Sequence, residues 1–305
     1  MKDIPEKLRI GRRSIEQFRR IQILQDFIWS EPLNIWYLQF SVETESTKPE
    51  VPCYSAWYLV ASSKYPKGPV KIYPSIVNGI DSTFPHQADN SEIEETHRLW
   101  RLGAPCLEKN IQSLNLRFVD PEPMLAEKRI EWHLWRLLGW IDAAKNDLLV
   151  QDGEAYELPQ IRKKIPGKIV YSEDAVNTYI WQDTAEQNEY FGFVSLIQKT
   201  ELHSTWYTES FSTRSNDLVH RSSWGSFIGK SDYVGRMNGI WILLKGIPTI
   251  KIWQFPATYG ELRQVLKSQN VDFFNILSCL DSIRDGRTHF VLLGFPIPRY
   301  FNREI

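Results

Sequence analysis

The sequence predicts an α+β protein built from two domains, and three observations carry that prediction. The chain has 305 residues, about twice a common domain length. Apolar and polar residues alternate with a period of two from Trp36 to Val42, two further strand signals follow up to Tyr73, and a long helical pattern lies between Asp120 and Leu148. A basic, breaker-rich stretch, PQIRKKIPGK from Pro159 to Lys168, then precedes a second mixture of strand and helix signals. The expected boundaries are residues 1–160 and 169–305, with the basic stretch as linker.

Ser14 and Gln17 fit a capping box that opens a helix running to about Trp29. Ile15, Phe18, Ile21, Leu24, Phe27 and Ile28 would form its apolar face. Lys7, Arg9, Arg12, Arg13, Arg19 and Arg20 cluster before and along it, by default as a solvated basic face. Trp36, Leu38, Phe40 and Val42 alternate with Tyr37, Gln39 and Ser41, the pattern of a half-buried strand. Tyr54 to Ala61 and Val70 to Tyr73 read as the next two strands, completing an antiparallel meander. One face of it needs a cover. Asp120 as N-cap and Pro121 at the first helical position would start that cover. Leu125, Trp132, Trp135, Leu138 and Ile141 are its inward candidates.

In the second domain, Phe191 to Gln198, Gly239 to Lys245 and Thr288 to Gly294 read as strands. A capping box of Thr258 with Glu261 starts a helix to about Gln269, and a shorter helix spans Asp272 to Leu280. The aromatics Trp206, Trp224, Trp241 and Trp253 look exposed, or else belong to the core.

Composition excludes several classes. The net charge of −1 argues against a dedicated nucleic-acid binder or an electrostatically held membrane protein. No apolar run approaches the ~18 residues of a membrane span, and MKDIPEKLRIGRR lacks the apolar core of a secretory signal. Three scattered cysteines form neither a disulfide framework nor a metal cluster, so a reducing cytoplasm is the expected compartment.

Chemistry concentrates between Phe84 and Leu107. FPHQADN supplies an imidazole at His86 and an amide at Asn90; LWRLGAPCL supplies a thiol at Cys106 in a Gly-Ala-Pro-Cys turn. A thiolate can carry an acyl group as a thioester, and an amide N–H can bind the oxyanion of the transfer. Most free cysteines are inert core fillers, and Cys53 and Cys279 fit that default. Gly103 and Pro105 place Cys106 in a turn, which favours the surface. Residue chemistry alone leaves both readings of Cys106 standing.

The succession of N-terminal helix, meander, HQ…N element, W-R-x-G-x-x-C-L and long helix resembles the ubiquitin-conjugating fold. More narrowly, it resembles the prokaryotic conjugating-enzyme-like domains fused to, or encoded beside, ThiF-type activating enzymes in bacterial antiphage operons. The resemblance covers about residues 10 to 160, including GEAYELP from Gly153 to Pro159. It implies that Cys106 is the thioester cysteine, that His86 begins the segment matching the eukaryotic His-Pro-Asn element, and that the basic first helix helps dock the activating enzyme. Gln87 stands where the proline would be, and Asn90 lies four residues after His86 instead of two. WQFPATYGEL and GFPIP resemble the middle domain that joins conjugating and adenylation domains in the fused proteins.

Other constellations point less far. His203 and His220 flank the Ser/Thr-rich HSTWYTESFSTRSNDLVH, which reads as a polar surface loop. His97 could serve Cys106 as a base in a cysteine hydrolase, but no hydrolase signature surrounds either residue. Asp89, Glu92, Glu94 and Glu95 form an acidic run, by default a solvated loop. The chain has no G-x-G-x-x-G element after a strand, no Walker loop and no C-x-x-C pair, so it is not expected to adenylate a modifier carboxylate by the ThiF-type route. It stops about where the adenylation domain of the fusions would begin, which fits a stand-alone product or a fragment.

The resemblance therefore implies a transferase. Cys106 would accept a ubiquitin-like protein from a ThiF-type activating enzyme and pass it to an amine on a target protein. His86 would organise the site and Asn90 would serve the oxyanion. No metal or organic cofactor is expected in this chain, because ATP is consumed at the activation step. The competing expectation is a non-catalytic scaffold with a conjugating fold, holding a modifier or an adenylating partner. Residues 169–305 would be an adaptor.

Overall fold

The computed structural model describes residues 2–90, 98–107, 121–150, 153–160, 167–172, 175–187, 189–199, 205–228 and 233–298. They form two compact α+β units: Met1–Ile161 with Lys251–Phe255, and Arg162–Ile250 with Pro256–Ile297.

The first unit opens with α1 (Glu6–Arg13), a 3-10 turn at Ser14–Gln17, and then β1 (Ile21–Ser30). The expected helix to Trp29 is thus a strand over most of its length. Two register shifts in β1, between Ile23 and Gln25 and between Gln25 and Ile28, explain the misreading. Each bulge adds a residue and moves the apolar positions off a period of two, so a kinked strand imitates helical spacing. Ser14 does not cap a helix either; its hydroxyl donates to the Gly11 carbonyl at 2.7 Å.

β2 (Ile35–Glu43), β3 (Tyr54–Ser62) and β4 (Val70–Pro74) complete an antiparallel meander in the order β1-β2-β3-β4. The register pairs Leu38 with Leu59 and Phe40 with Trp57, so one face is continuously apolar. α2 (Ala126–Lys145) covers it with Ile130, Leu134, Leu137, Trp140 and Ile141, all buried.

α2 begins at Ala126, behind a Leu125 N-cap without a side-chain hydrogen bond. Pro121 precedes the helix, and Asp120 lies outside the described residues. Glu122 explains the late start. Its Oε1 pairs with Arg129 Nε at 2.5 Å and His133 Nε2 at 2.6 Å, drawing residues 121–125 down onto the first turns. Burial would raise this carboxyl, but the His133 and Arg129 hydrogen bonds outweigh it and bring its pKa down to about 2. Of the inward candidates, Leu138 and Ile141 are buried. Leu125 and Trp135 are exposed and Trp132 is half-buried under the Arg136 guanidinium.

The second unit is a sheet in the order β10-β9-β6-β7-β5, with β8 paired to β7. Its strands are β5 (Lys168–Val170), β6 (Phe191–Lys199), β7 (Thr205–Thr213), β8 (Leu218–Arg221), β9 (Tyr233–Leu243) and β10 (Val291–Gly294). Its helices are α3 (Ala175–Glu186), α4 (Tyr259–Ser268) and α5 (Phe273–Ser282). The Thr258–Glu261 capping box is present, and Asp272 caps α5 through the Phe274 N–H.

The expected Ser/Thr-rich loop is instead β7 and β8. Tyr207, Thr208 and Phe211 of β7 are buried, and His220 packs its ring against Tyr171 and Phe211. His203 lies outside the described residues. β6 and β7 approach so closely that a Cβ on Gly192 would meet the Ser212 carbonyl oxygen at 2.0 Å. The four aromatics are not surface groups: Trp241 is buried and donates to Ser212 O at 2.9 Å. Trp206, Trp224 and Trp253 are each half-buried. No helix among the described residues is long and apolar enough to cross a membrane.

Candidate functional site around Cys106

One anchor of the site lies on the sheet face opposite α2. Trp100 lies there against Tyr37, Tyr58 and Tyr73, with ring centroids 5.6, 5.3 and 6.2 Å away. The Arg101 N–H donates to the Pro74 carbonyl at 2.8 Å, fastening the segment to the end of β4. On the other side Phe84 packs edge-on against Trp140 of α2 at 5.6 Å. Two aromatic anchors thus fix the two ends from which the site hangs.

Between the anchors, residues 86–88 and 104–106 pair as a short antiparallel ladder. The Cys106 N–H donates to the His86 carbonyl at 2.7 Å, and the Ala88 N–H to the Ala104 carbonyl at 3.0 Å, around a Gln87–Pro105 bridge. This register sets His86 opposite Cys106, closing the twenty-residue gap between them. Burial alternates along both strands. Gln87, Asp89, Gly103, Pro105 and Leu107 face inward, while Ala88, Ala104 and Cys106 are partly exposed.

Gln87 braces the ladder. Its Oε1 accepts from the Phe84 N–H at 2.9 Å and its Nε2 donates to the Gly103 carbonyl at 2.8 Å. A proline here could make neither bond. Gly103 is required by close approach: a Cβ would meet Asn90 Oδ1 at 2.2 Å. From α2, the Arg136 guanidinium donates to the Leu107 carbonyl at 3.0 Å and fixes the residue after the thiol.

Asn90 is fully buried, and its amide donates to the Ile80 carbonyl at 2.8 Å and the Ser82 carbonyl at 3.0 Å. Both N–H groups are committed to shaping the 80–83 turn, so none is directed to an oxyanion. Asp89 is buried as well and is not part of a solvated loop; Glu92, Glu94, Glu95 and His97 lie outside the described residues.

His86 holds a left-handed backbone, φ 56°, which only a few residue types adopt readily. Its Nε2 lies 3.0 Å from Glu154 Oε1, with side-chain exposures of 7% and 13%. Glu157 Oε2 lies 3.9 Å from Nδ1. Of the other thiols, Cys279 is buried and its pKa is pushed up by that burial. Cys53 is exposed, contrary to a core-filler reading, and its thiol donates to the Ser46 carbonyl at 3.2 Å.

The family model of the Cap2 central linker domain matches residues 146–304, just over half of the chain. The chain belongs to the Cap2 linker-domain family. It is also similar to the ATP-dependent ubiquitin transferase-like protein Cap2 of Enterobacter hormaechei subsp. hoffmannii (strain UCI 50), with 31% identity over 283 residues. That match covers 88% of this chain and 45% of the relative, so the chain spans less than half of that Cap2 protein's length.

Sequence reasoning missed Glu154, Arg136 and the bracing role of Gln87 in this Cap2-family chain. Glu154 lies 68 residues beyond His86 in a segment without helical or strand periodicity, so no local pattern marks it. Arg136 is hidden among the ordinary polar positions of α2. Gln87 was visible only as a departure from proline.

Proposed function

We propose that the chain carries a protein modifier as a thioester on Cys106 and transfers it to an amine of a target protein. The observation that carries this reading is the half-exposed Cys106, placed opposite His86 on a ladder braced from three sides. A thiolate is both a good nucleophile and a good leaving group, so one sulfur can receive an acyl group and release it to an amine. The modifier would be ubiquitin-like, delivered as a thioester by a ThiF-type activating enzyme that consumes ATP. The name of the Enterobacter relative, an ATP-dependent ubiquitin transferase-like protein, supports that class of reaction. A reducing cytoplasm would keep the thiol free, and antiphage defence is the biological setting we propose.

The committed amide of Asn90 favours a second reading, a scaffold that binds modifier or activating partner without catalysis. One experiment separates the two. The chain is incubated with activating enzyme, modifier and ATP and resolved on a non-reducing gel. The transferase reading expects a reductant-sensitive mass shift that Cys106→Ala abolishes and Cys106→Ser converts to a durable oxyester. An adduct lost in Cys53→Ala and retained in Cys106→Ala would overturn it, and binding without any adduct would establish the scaffold.

A further inference from the structure

We propose that Glu154 completes a proton relay, Cys106–His86–Glu154, by holding the His86 imidazole so that Nδ1 receives the thiol proton. The inference rests on the reading of Cys106 as the nucleophile.

Three features support it. The register sets the backbone of His86 directly opposite that of Cys106, so imidazole and thiol start from the same rung of the ladder. A carboxylate accepts hydrogen bonds only, so Glu154 at 3.0 Å fixes the proton on Nε2 and leaves Nδ1 as the basic nitrogen. Nδ1 is itself buried and makes no hydrogen bond at rest, so it is free to accept one, and its bond to the thiol forms as the acyl donor docks.

The charges around the pair are Glu154 and Glu157 from the 153–159 segment and Arg136 from α2, which donates to Leu107 O beside the thiol. Glu157 is half-exposed and, at 3.9 Å, too far for a hydrogen bond, so its attraction for an imidazolium is screened. Glu154, nearly buried and at hydrogen-bond distance, is screened less. Asp89 and Arg101, which flank the ladder in sequence, are both buried.

The step balances without any further reactant. The Sγ–H proton of Cys106 passes to His86 Nδ1 while Glu154 accepts the Nε2–H bond. The thiolate attacks the carbonyl carbon of the incoming thioester and forms a new S–C bond. Breaking the old S–C bond releases the donor's thiolate, which takes the proton from the imidazolium. Glu154 touches neither substrate nor sulfur; it is a positioning residue.

The test needs no activating enzyme. The rate of Cys106 alkylation by iodoacetamide is measured from pH 5 to 10 by peptide mass mapping, in a Cys53→Ala background because Cys53 is exposed. The relay predicts a midpoint below the ordinary thiol value of about 8.5. Glu154→Gln, which keeps an acceptor but removes the charge, should raise the midpoint by about one unit and slow alkylation at pH 6.5 about tenfold. Glu154→Asp should retain most of the low midpoint, Glu157→Gln should shift it far less, and His86→Gln should remove the low-pH limb. Superimposable profiles for the parent and folded Glu154→Gln would overturn the relay. Should Glu154→Gln fail to fold, a parent midpoint at or above 8.5 overturns it equally. A depressed midpoint without any thioester in the charging assay would sink the proposed transfer and leave the relay standing. Thioester formation with an ordinary midpoint would do the reverse.

Discussion

The Cys106 ladder and the second-unit sheet are both well packed, but by opposite means. Around the ladder the buried residues include Ser82, Thr83, Gln87, Asp89, Asn90 and Arg101. The second-unit core is made of Leu196, Ile240, Trp241, Ile242 and Leu266, with Thr184 and Thr208 its buried polar residues among those described. Apolar contacts are non-directional and tolerate small shifts. Buried hydrogen bonds are directional and costly to break, so they hold one shape. The comparison teaches that the ladder specifies one geometry through directional bonds, whereas the sheet draws its stability from apolar burial.

The contrast is broken most directly where the apolar core reaches the ladder. Trp140 supports both Trp57 and Phe84 edge-on, at 6.4 and 5.6 Å. Trp140→Ala should cost about 3–5 kcal/mol of unfolding free energy and also loosen the Phe84 anchor. Trp241→Phe in the second unit loses the hydrogen bond to Ser212 and some packing, a smaller cost, and should leave Cys106 alkylation unchanged. Denaturant melts combined with alkylation rates check both. Equal effects of the two substitutions on Cys106 would dissolve the distinction between the regions.

Gly103→Ala sharpens it. The new methyl would overlap the Asn90 side chain, which is fixed by hydrogen bonds to Ile80 and Ser82 and cannot yield cheaply. About 1–3 kcal/mol should be lost, as for other overpacked sites. Disproportionate change is expected in Cys106 reactivity, because Gly103 O also anchors Gln87. Unaltered alkylation at any stability loss would show that the bracing does not set the thiol's position.

What the sequence revealed follows the same division. β2, β3, β4, α4 and α5 were legible because period-two alternation and capping chemistry are local signals. β1 was misread because its bulges erased the period, and β7 because its Ser and Thr were read as loop although Thr, Trp, Tyr and Phe between them favour a strand. Of the site, Cys106 and His86 were nameable from their types and from the resemblance. Their opposition, the Glu154 contact and the inward commitment of Asn90 depend on backbone pairing across many residues, which no single segment encodes.

A smaller effect should separate the polar anchor of α2 from its apolar face. Glu122 has its pKa lowered to about 2 in the folded chain, from an ordinary 4.5. A depressed carboxyl contributes stability that is complete above the unfolded value and lost as pH falls through the folded one. Glu122→Gln should therefore lower stability at pH 7 by at most about 3 kcal/mol, with the difference from the parent shrinking between about pH 4.5 and pH 2. A difference independent of pH would mean that packing, not charge, holds residues 121–125 on the helix.

The smallest effect on stability is expected from the basic residues before β1, and here the structure divides what the sequence grouped. Arg12 pairs with Glu16 and, at 3.1 Å, with Asp26. Arg20 makes a two-pronged pair with Asp142 at 2.8 and 3.0 Å. These two cations are internal ties. Lys7, Arg13 and Arg19 are exposed and have no ion-pair partner among the described residues. Lys7 also lines a groove with Lys64 and Lys67. Reversing Lys7, Arg13 and Arg19 to Glu should change stability by under ~1 kcal/mol, since exposed charges contribute little. If this face docks the activating partner, charging of Cys106 should slow severalfold at low salt and lose most of its salt dependence. Arg12→Glu is the control in the opposite sense, costing stability by turning two attractions into repulsions while leaving the exposed cations in place. Charging rates at low salt that are untouched by the triple reversal would remove the docking role from this face and leave it a solvated one.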